Sequence, residues 1–208
     1  IKYISAIGGG DHNDVCIFIE TIHLGQNLIE RLFAFIMSTT ETSATLTANR
    51  IEVIRGIMNG TANYILTMMT EHGTPFDEVL KDAQEKGFAE ADPTYDVEGI
   101  DTAHKLAILM SIAYGQHVHL DDIYVEGISS IMPIDIDFAK EFGYRIKLLA
   151  ISRNHGSHME ARVHPTMVPE KHLLANINGA YNAIHFNGDM VGNVLMYGLG
   201  TGKMPSGS

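Results

Sequence analysis

The sequence predicts an α+β fold, a mixed or largely antiparallel sheet with helices packed on one face. Three observations carry this. Apolar residues recur at helical spacing in the first half of the chain. After Gly115 the pattern changes to period two. The later alternating runs are separated by Asn154-His155-Gly156 and Asn187-Gly188-Asp189, both of hairpin type. Helices followed by a meander of strands suit a sheet covered on one side.

Taken in order, residues 2–7 alternate weakly and read as a strand broken by Gly8-Gly9-Gly10. Val15-Cys16-Ile17-Phe18-Ile19 is an apolar run of the buried-strand type. Leu28, Ile29, Leu32, Phe33 and Ile36 share one face of a helix over 28–37, and the Ser/Thr-rich residues 38–47 read as a loop. A helix follows Asn59-Gly60 from Thr61. Thr74-Pro75-Phe76-Asp77 starts the next one: Thr74 caps, Pro75 takes the first helical position, and Asp77 and Glu78 complement the dipole. Gly87 stops it. A third helix covers 97–114 and ends at Gly115; its second half is apolar nearly all round and so buried. Strands are expected over 123–127, 145–152, 158–164, 180–186 and 189–197.

The 208 residues are 45% hydrophobic and 19% charged, enough apolar material for a core. Lys and Arg total 14 against 25 Asp and Glu, and the net charge of −11 argues against gripping phosphate backbones or anionic membranes. No stretch reaches the ~20 apolar residues of a membrane span. One cysteine, Cys16, excludes an internal disulfide framework and a Cys-rich zinc site, and fits a reducing, cytoplasmic setting. The opening Ile1-Lys2-Tyr3-Ile4 reads as the middle of a strand, as in a segment of something longer.

The densest polar constellation runs from Glu90 to Lys105: five carboxylates and one Lys in sixteen residues, leading into the buried helix. Asp101 and Lys105 are four apart and share a helix face. Carboxylates at the mouth of such a helix can bind an ammonium group, and a partly buried Lys beside an Asp can pass a proton. The same residues also read as a solvated helix start with one surface ion pair. Gly198-Leu199-Gly200-Thr201-Gly202-Lys203 lets a backbone approach a ligand closely, or is simply a loop. It is neither a P-loop nor a dinucleotide fingerprint. Among 11 His, the pairs His117/His119 and His155/His158 offer metal ligands without a third in a recognisable frame.

From residue 47 to 208 the chain resembles homoserine dehydrogenase, in that family's substrate-binding, catalytic and dimerisation region. The resemblance rests on Ala48-Asn49-Arg50-Ile51, Gly56-Ile57-Met58-Asn59-Gly60-Thr61-Ala62-Asn63-Tyr64, Gly87-Phe88-Ala89-Glu90-Ala91-Asp92-Pro93, Asp96-Val97-Glu98-Gly99-Ile100-Asp101-Thr102-Ala103-His104-Lys105, Tyr181-Asn182-Ala183-Ile184 and the Gly198 loop. It implies interconversion of homoserine and aspartate 4-semialdehyde with NAD or NADP, in threonine and methionine biosynthesis. By resemblance Lys105 is the proton donor, with Asp101 beside it; Glu90, Asp96, Asp101 and Thr61 bind substrate; Gly202 contacts the cofactor. The Gly8-Gly9-Gly10 turn resembles the family's monovalent-cation site, with carbonyl ligands at Ile7 and Gly9, although Ile4 stands where the family places a Glu.

The expected organisation is one substrate-binding and dimerisation domain over 1–208, with an unmatched segment at 11–46. The family's nucleotide-binding domain does not precede Ile1, so the isolated chain is expected to be inactive. The alternative is a non-catalytic truncated or engineered scaffold that self-associates. The partners expected are a small-molecule substrate and a second copy of the chain, with neither nucleic acid nor membrane.

Overall fold

A computed structural model describes residues 50–199. The elements expected at 2–7, 15–19 and 28–37, the loop at 38–47, Cys16, Ile7, Gly9 and Gly202 lie outside these residues.

Six strands form one sheet: β1 (Ile51–Ile57), β2 (Tyr124–Val125), β3 (Tyr144–Asn154), β4 (Met159–Pro169), β5 (Tyr181–Gly188) and β6 (Gly192–Leu199). Their order is β2-β4-β3-β1-β5-β6. The short β2 runs parallel to β4, and every other neighbouring pair is antiparallel. The helices are α1 (Gly60–His72), α2 (Phe76–Glu85), α3 (Thr94–Val97), α4 (Ile100–Tyr114) and α5 (Pro133–Glu141). The fold is therefore α+β with a mostly antiparallel sheet.

Side-chain alternation explains the layering. On one face Ile54, Leu148, Ala150, Val163, Ile184 and Phe186 pack against Ile65, Leu66 and Met69 of α1 and Leu106, Leu109 and Met110 of α4. Leu106 and Leu109 are fully buried, each worth ~1.5–3 kcal/mol of transfer free energy. On the other face Ile57, Leu149, Ile151, Val168 and Ala183 form a smaller cluster, covered by Leu174 and Ala175 of the 3-10 turn Leu173–Asn176. Tyr181, Tyr197 and Leu199 on the same face stay exposed.

Several boundaries differ from the sequence reading. The α2 helix begins at Phe76: Pro75 is extended (φ −61, ψ 153) and occupies the cap position with no side-chain hydrogen bond, so Thr74 does not cap. Asp77 and Glu78 do lie in its first turn. The helix expected over 97–114 is two, because Gly99 adopts φ +78, which a side-chain-bearing residue rarely does, and splits α3 from α4. The last strand starts at Gly192, not Asp189. Asp189 is diverted instead to Arg50, accepting its N–H at 2.9 Å and donating to its carbonyl at 3.1 Å. No element was expected at β1 or α5.

Candidate active site

The candidate site forms where β1 gives way to α1 and meets the start of α4. The Asn59 side-chain oxygen caps α1, accepting the Ala62 N–H at 2.8 Å. Gly60 follows because the helix start lies on β5's approach: a Cβ there would stand 2.9 Å from the Ala180 carbonyl oxygen. The turn thus fixes Asn59 between the sheet and the carboxylates.

The Asn59 amide nitrogen donates to both, to Asp96 Oδ1 at 2.7 Å and to Asp101 Oδ2 at 2.9 Å. Lys105 Nζ donates to Asp101 Oδ2 at 2.6 Å and to the Met58 carbonyl at 3.1 Å. Lys105 and Asp101 are 8% and 7% exposed, so this is a buried ion pair and not a solvated helix start. Such a pair persists only where further hydrogen bonds satisfy it, and Met58 and Asn59 supply them. Thr61, in the first turn of α1 two residues after Asn59, donates to the Phe88 carbonyl at 2.7 Å.

Asp96 is the electrostatically uncomfortable member. Burial pushes its carboxyl up, and the neighbouring negative charge of Asp101 adds to this, while the Asn59 and Thr61 hydrogen bonds and the Lys105 charge oppose it. A half-buried carboxylate in that state is matched to a cationic group. His104, stacked on Tyr95 with ring centroids 5.7 Å apart, is held below the usual imidazole range by burial, with Asp101 opposing.

The structure brings Lys105, Asp101, Asp96 and Thr61 together. Glu90 is exposed after α2; its backbone carbonyl accepts the Gln84 amide at 3.0 Å, and among the described residues nothing holds its carboxylate. The rings of His117 and His119 lie 4.5 Å apart, and among the described residues no third ligand completes a metal site there. Sequence reasoning missed Asn59 as a site residue, and the available signal was Asn-Gly immediately before a helix.

A second buried cation stands apart. Lys147 is 2% exposed and donates to Ile177 O at 2.6 Å, Asn63 Oδ1 at 3.1 Å and Asn178 Oδ1 at 3.1 Å. Burial, with Arg145 adding to it, lowers its ammonium to about 8 against the opposing charge of Glu71.

The chain belongs to the homoserine dehydrogenase family, whose model matches residues 36–208. It is 52% identical over 163 residues to the homoserine dehydrogenase of Neisseria gonorrhoeae and 53% identical over 163 residues to that of Pseudomonas aeruginosa. In both comparisons 78% of this chain is covered. The crystal structure of a homoserine dehydrogenase from Thiobacillus denitrificans superposes with a TM-score of 0.76 at 52% identity, covering 82% of this chain and 39% of that one. The chain spans about 38% of the length of the two bacterial relatives, so it corresponds to a segment of them.

The family implies a nicotinamide cofactor. Among the described residues β2 and β4 are the single parallel pair, joined over two positions, and no strand, glycine-rich turn and helix follow one another as a dinucleotide fold requires. Residues 50–199 therefore do not by themselves fit a dinucleotide. No helix among them is long and apolar enough to cross a membrane.

Proposed function

We propose that this chain is the substrate-binding, proton-transferring and dimerisation part of a homoserine dehydrogenase, an oxidoreductase that interconverts homoserine and aspartate 4-semialdehyde in threonine and methionine biosynthesis. The observation that carries the proposal is the buried Asn59–Asp101–Lys105 cluster with Asp96 beside it. Lys105 Nζ gives its proton to the substrate's carbonyl oxygen as that atom becomes an alkoxide, and takes it back from the hydroxyl in the reverse direction. Asp101 holds Lys105 in place and accepts from the substrate's hydroxyl. Asp96 receives the ammonium group, which supplies the positive charge its desolvated carboxylate lacks, and the exposed Glu90 swings in to share it. Thr61 lines the same pocket.

The NAD or NADP that this reading requires is held outside residues 50–199, where Gly202 is the residue proposed to touch it. A monovalent cation held by the carbonyls of Ile7 and Gly9 would likewise lie outside residues 50–199. The same reading makes the protein cytoplasmic, in keeping with its single cysteine.

The test replaces the corresponding segment of a full-length homoserine dehydrogenase with residues 47–208 and compares it with its Lys105→Ala variant. A loss in kcat on the order of 10²–10⁴ is expected from removal of the general acid. Unchanged kcat in a folded variant overturns the role given to Lys105.

A further inference from the structure

We propose that His155, His158 and Glu160 form a binding site for one divalent transition-metal ion of the zinc type, at the tip of the β3–β4 hairpin. The three residues offer one ligand atom each, and these atoms lie within 4.8 Å of one another. Ligands held 2.0–2.2 Å from a tetrahedral zinc ion are roughly 3.3 Å apart, so small side-chain rotations close the set.

The hairpin builds this placement. Asn154 pairs with Met159, and the His155 N–H donates to the His158 carbonyl at 2.9 Å, leaving Gly156 and Ser157 as the turn. Gly156 adopts φ +82, and its N–H is tied to Asn154 Oδ1 at 2.8 Å. Directly opposed residues share a face, so the two imidazoles stand side by side, centroids 4.6 Å apart and 15° from parallel. Glu160 is two residues further along β4 and points the same way. Arg162 Nη1 donates to Glu160 Oε2 at 3.1 Å, which leaves Oε1 facing His155 Nε2 at 3.1 Å. Orienting a ligand carboxylate from behind is what outer partners do at metal sites.

Two imidazoles held side by side can each offer a ring nitrogen to one metal ion. Two histidines and a carboxylate suit zinc, with nickel and copper competing, and the remaining positions are filled by water at this exposed tip. Arg153, which opposes Glu160 on the same face, and Arg162 both weaken the attraction for a cation, so the site binds moderately. Arg153 pairs with Val53 at the start of β1, while Asn59 follows its far end. At ~3.3 Å per residue the hairpin stands about 20 Å from the candidate active site, so the two are separate.

The test is isothermal titration calorimetry of the tag-free chain with zinc chloride in a non-chelating buffer, with cobalt(II) absorption as a second readout of ligand geometry. One equivalent is expected to bind with an intense tetrahedral cobalt spectrum. His155→Ala, His158→Ala and Glu160→Gln are each expected to weaken uptake at least ~10-fold, and His117→Ala is expected to leave it unchanged. No saturable uptake overturns the site, as does uptake that survives in the His155→Ala/His158→Ala double variant.

Discussion

Asn59 and Asp101 are separated by 42 positions in the chain and joined by a 2.9 Å hydrogen bond that is fully buried. The same amide nitrogen holds Asp96, so one side chain spans the turn after β1 and both acidic segments. Its oxygen meanwhile serves the backbone of α1.

Replacing that side chain has two separable costs. Asn59→Ala removes a helix cap, worth about 0.5–2 kcal/mol. It also leaves two carboxylates short of a donor, at about 1–3 kcal/mol. A destabilisation of about 2–4 kcal/mol in urea unfolding is expected. A loss below 0.5 kcal/mol, a limit set roughly by what surface substitutions cost, would remove Asn59 from its central position.

Asp96→Asn separates stability from binding. A carboxyl whose folded pKa is raised contributes stability below its unfolded value and loses it as pH rises through the folded value. Above the folded value the ionised Asp96 is thus a cost, and the amide removes it. The variant should melt at a higher temperature near pH 7, with the gain vanishing in acid, while homoserine binding weakens. A lower melting temperature at both pH values would contradict the account.

Lys147 has the opposite chemistry and the same sense of penalty. Its folded pKa of about 8 lies below the ordinary 10.5, so between these values the unfolded chain binds more protons and stability rises with pH. The interval corresponds to a gain of about 3 kcal/mol at most. Relative to Lys147→Met, the unchanged protein should gain stability from pH 8 to pH 10. Parallel stability curves would show that the three carbonyl oxygens around Nζ hold the proton in place.

Self-association is expected through the sheet face away from α1 and α4, where Tyr181, Tyr197 and Leu199 are 41%, 66% and 55% exposed. A two-fold pairing would cover that apolar surface on both copies at once. Light scattering on dilute chain should give twice 22.8 kDa, and Tyr197→Glu with Leu199→Glu should return the monomer. A mass of 22.8 kDa for the unchanged chain at micromolar concentration would exclude the pairing.

The parts legible in the sequence were those whose signals are local. Gly115 ends α4 at φ +66, and the period-two runs after it became β3, β4, β5 and β6. The Asp101–Lys105 pair followed from helical spacing, although its burial did not: that depends on Met58 and Asn59 arriving from another element. β1 escaped notice because a central strand here carries Glu52, Arg55 and Gly56 among its apolar residues, blurring the alternation. Arg55 sits beside Arg153 and Arg162, and desolvation first, then those charges, lowers its pKa. α5 was hidden because its apolar residues lie on both sides: Ile136 and Ala139 are buried in the core, while Ile134 and Phe138 are exposed, so no single stripe stands out. Glu90 stood out only as one of five carboxylates in the stretch from Glu90 to Lys105, and its substrate role came from the resemblance; on an exposed loop, local physics does not single it out.

The missing side chain at Gly60 has a mechanical meaning. With backbone already against backbone at Ala180, the start of α1 has no slack relative to the entry of β5. Asn59 is the preceding residue, so the position of that strand bears directly on the side chain that holds the acidic cluster. Tyr181, at the head of the same strand, belongs to the exposed face, so a load applied there travels through three peptide units to the atoms that hold Lys105.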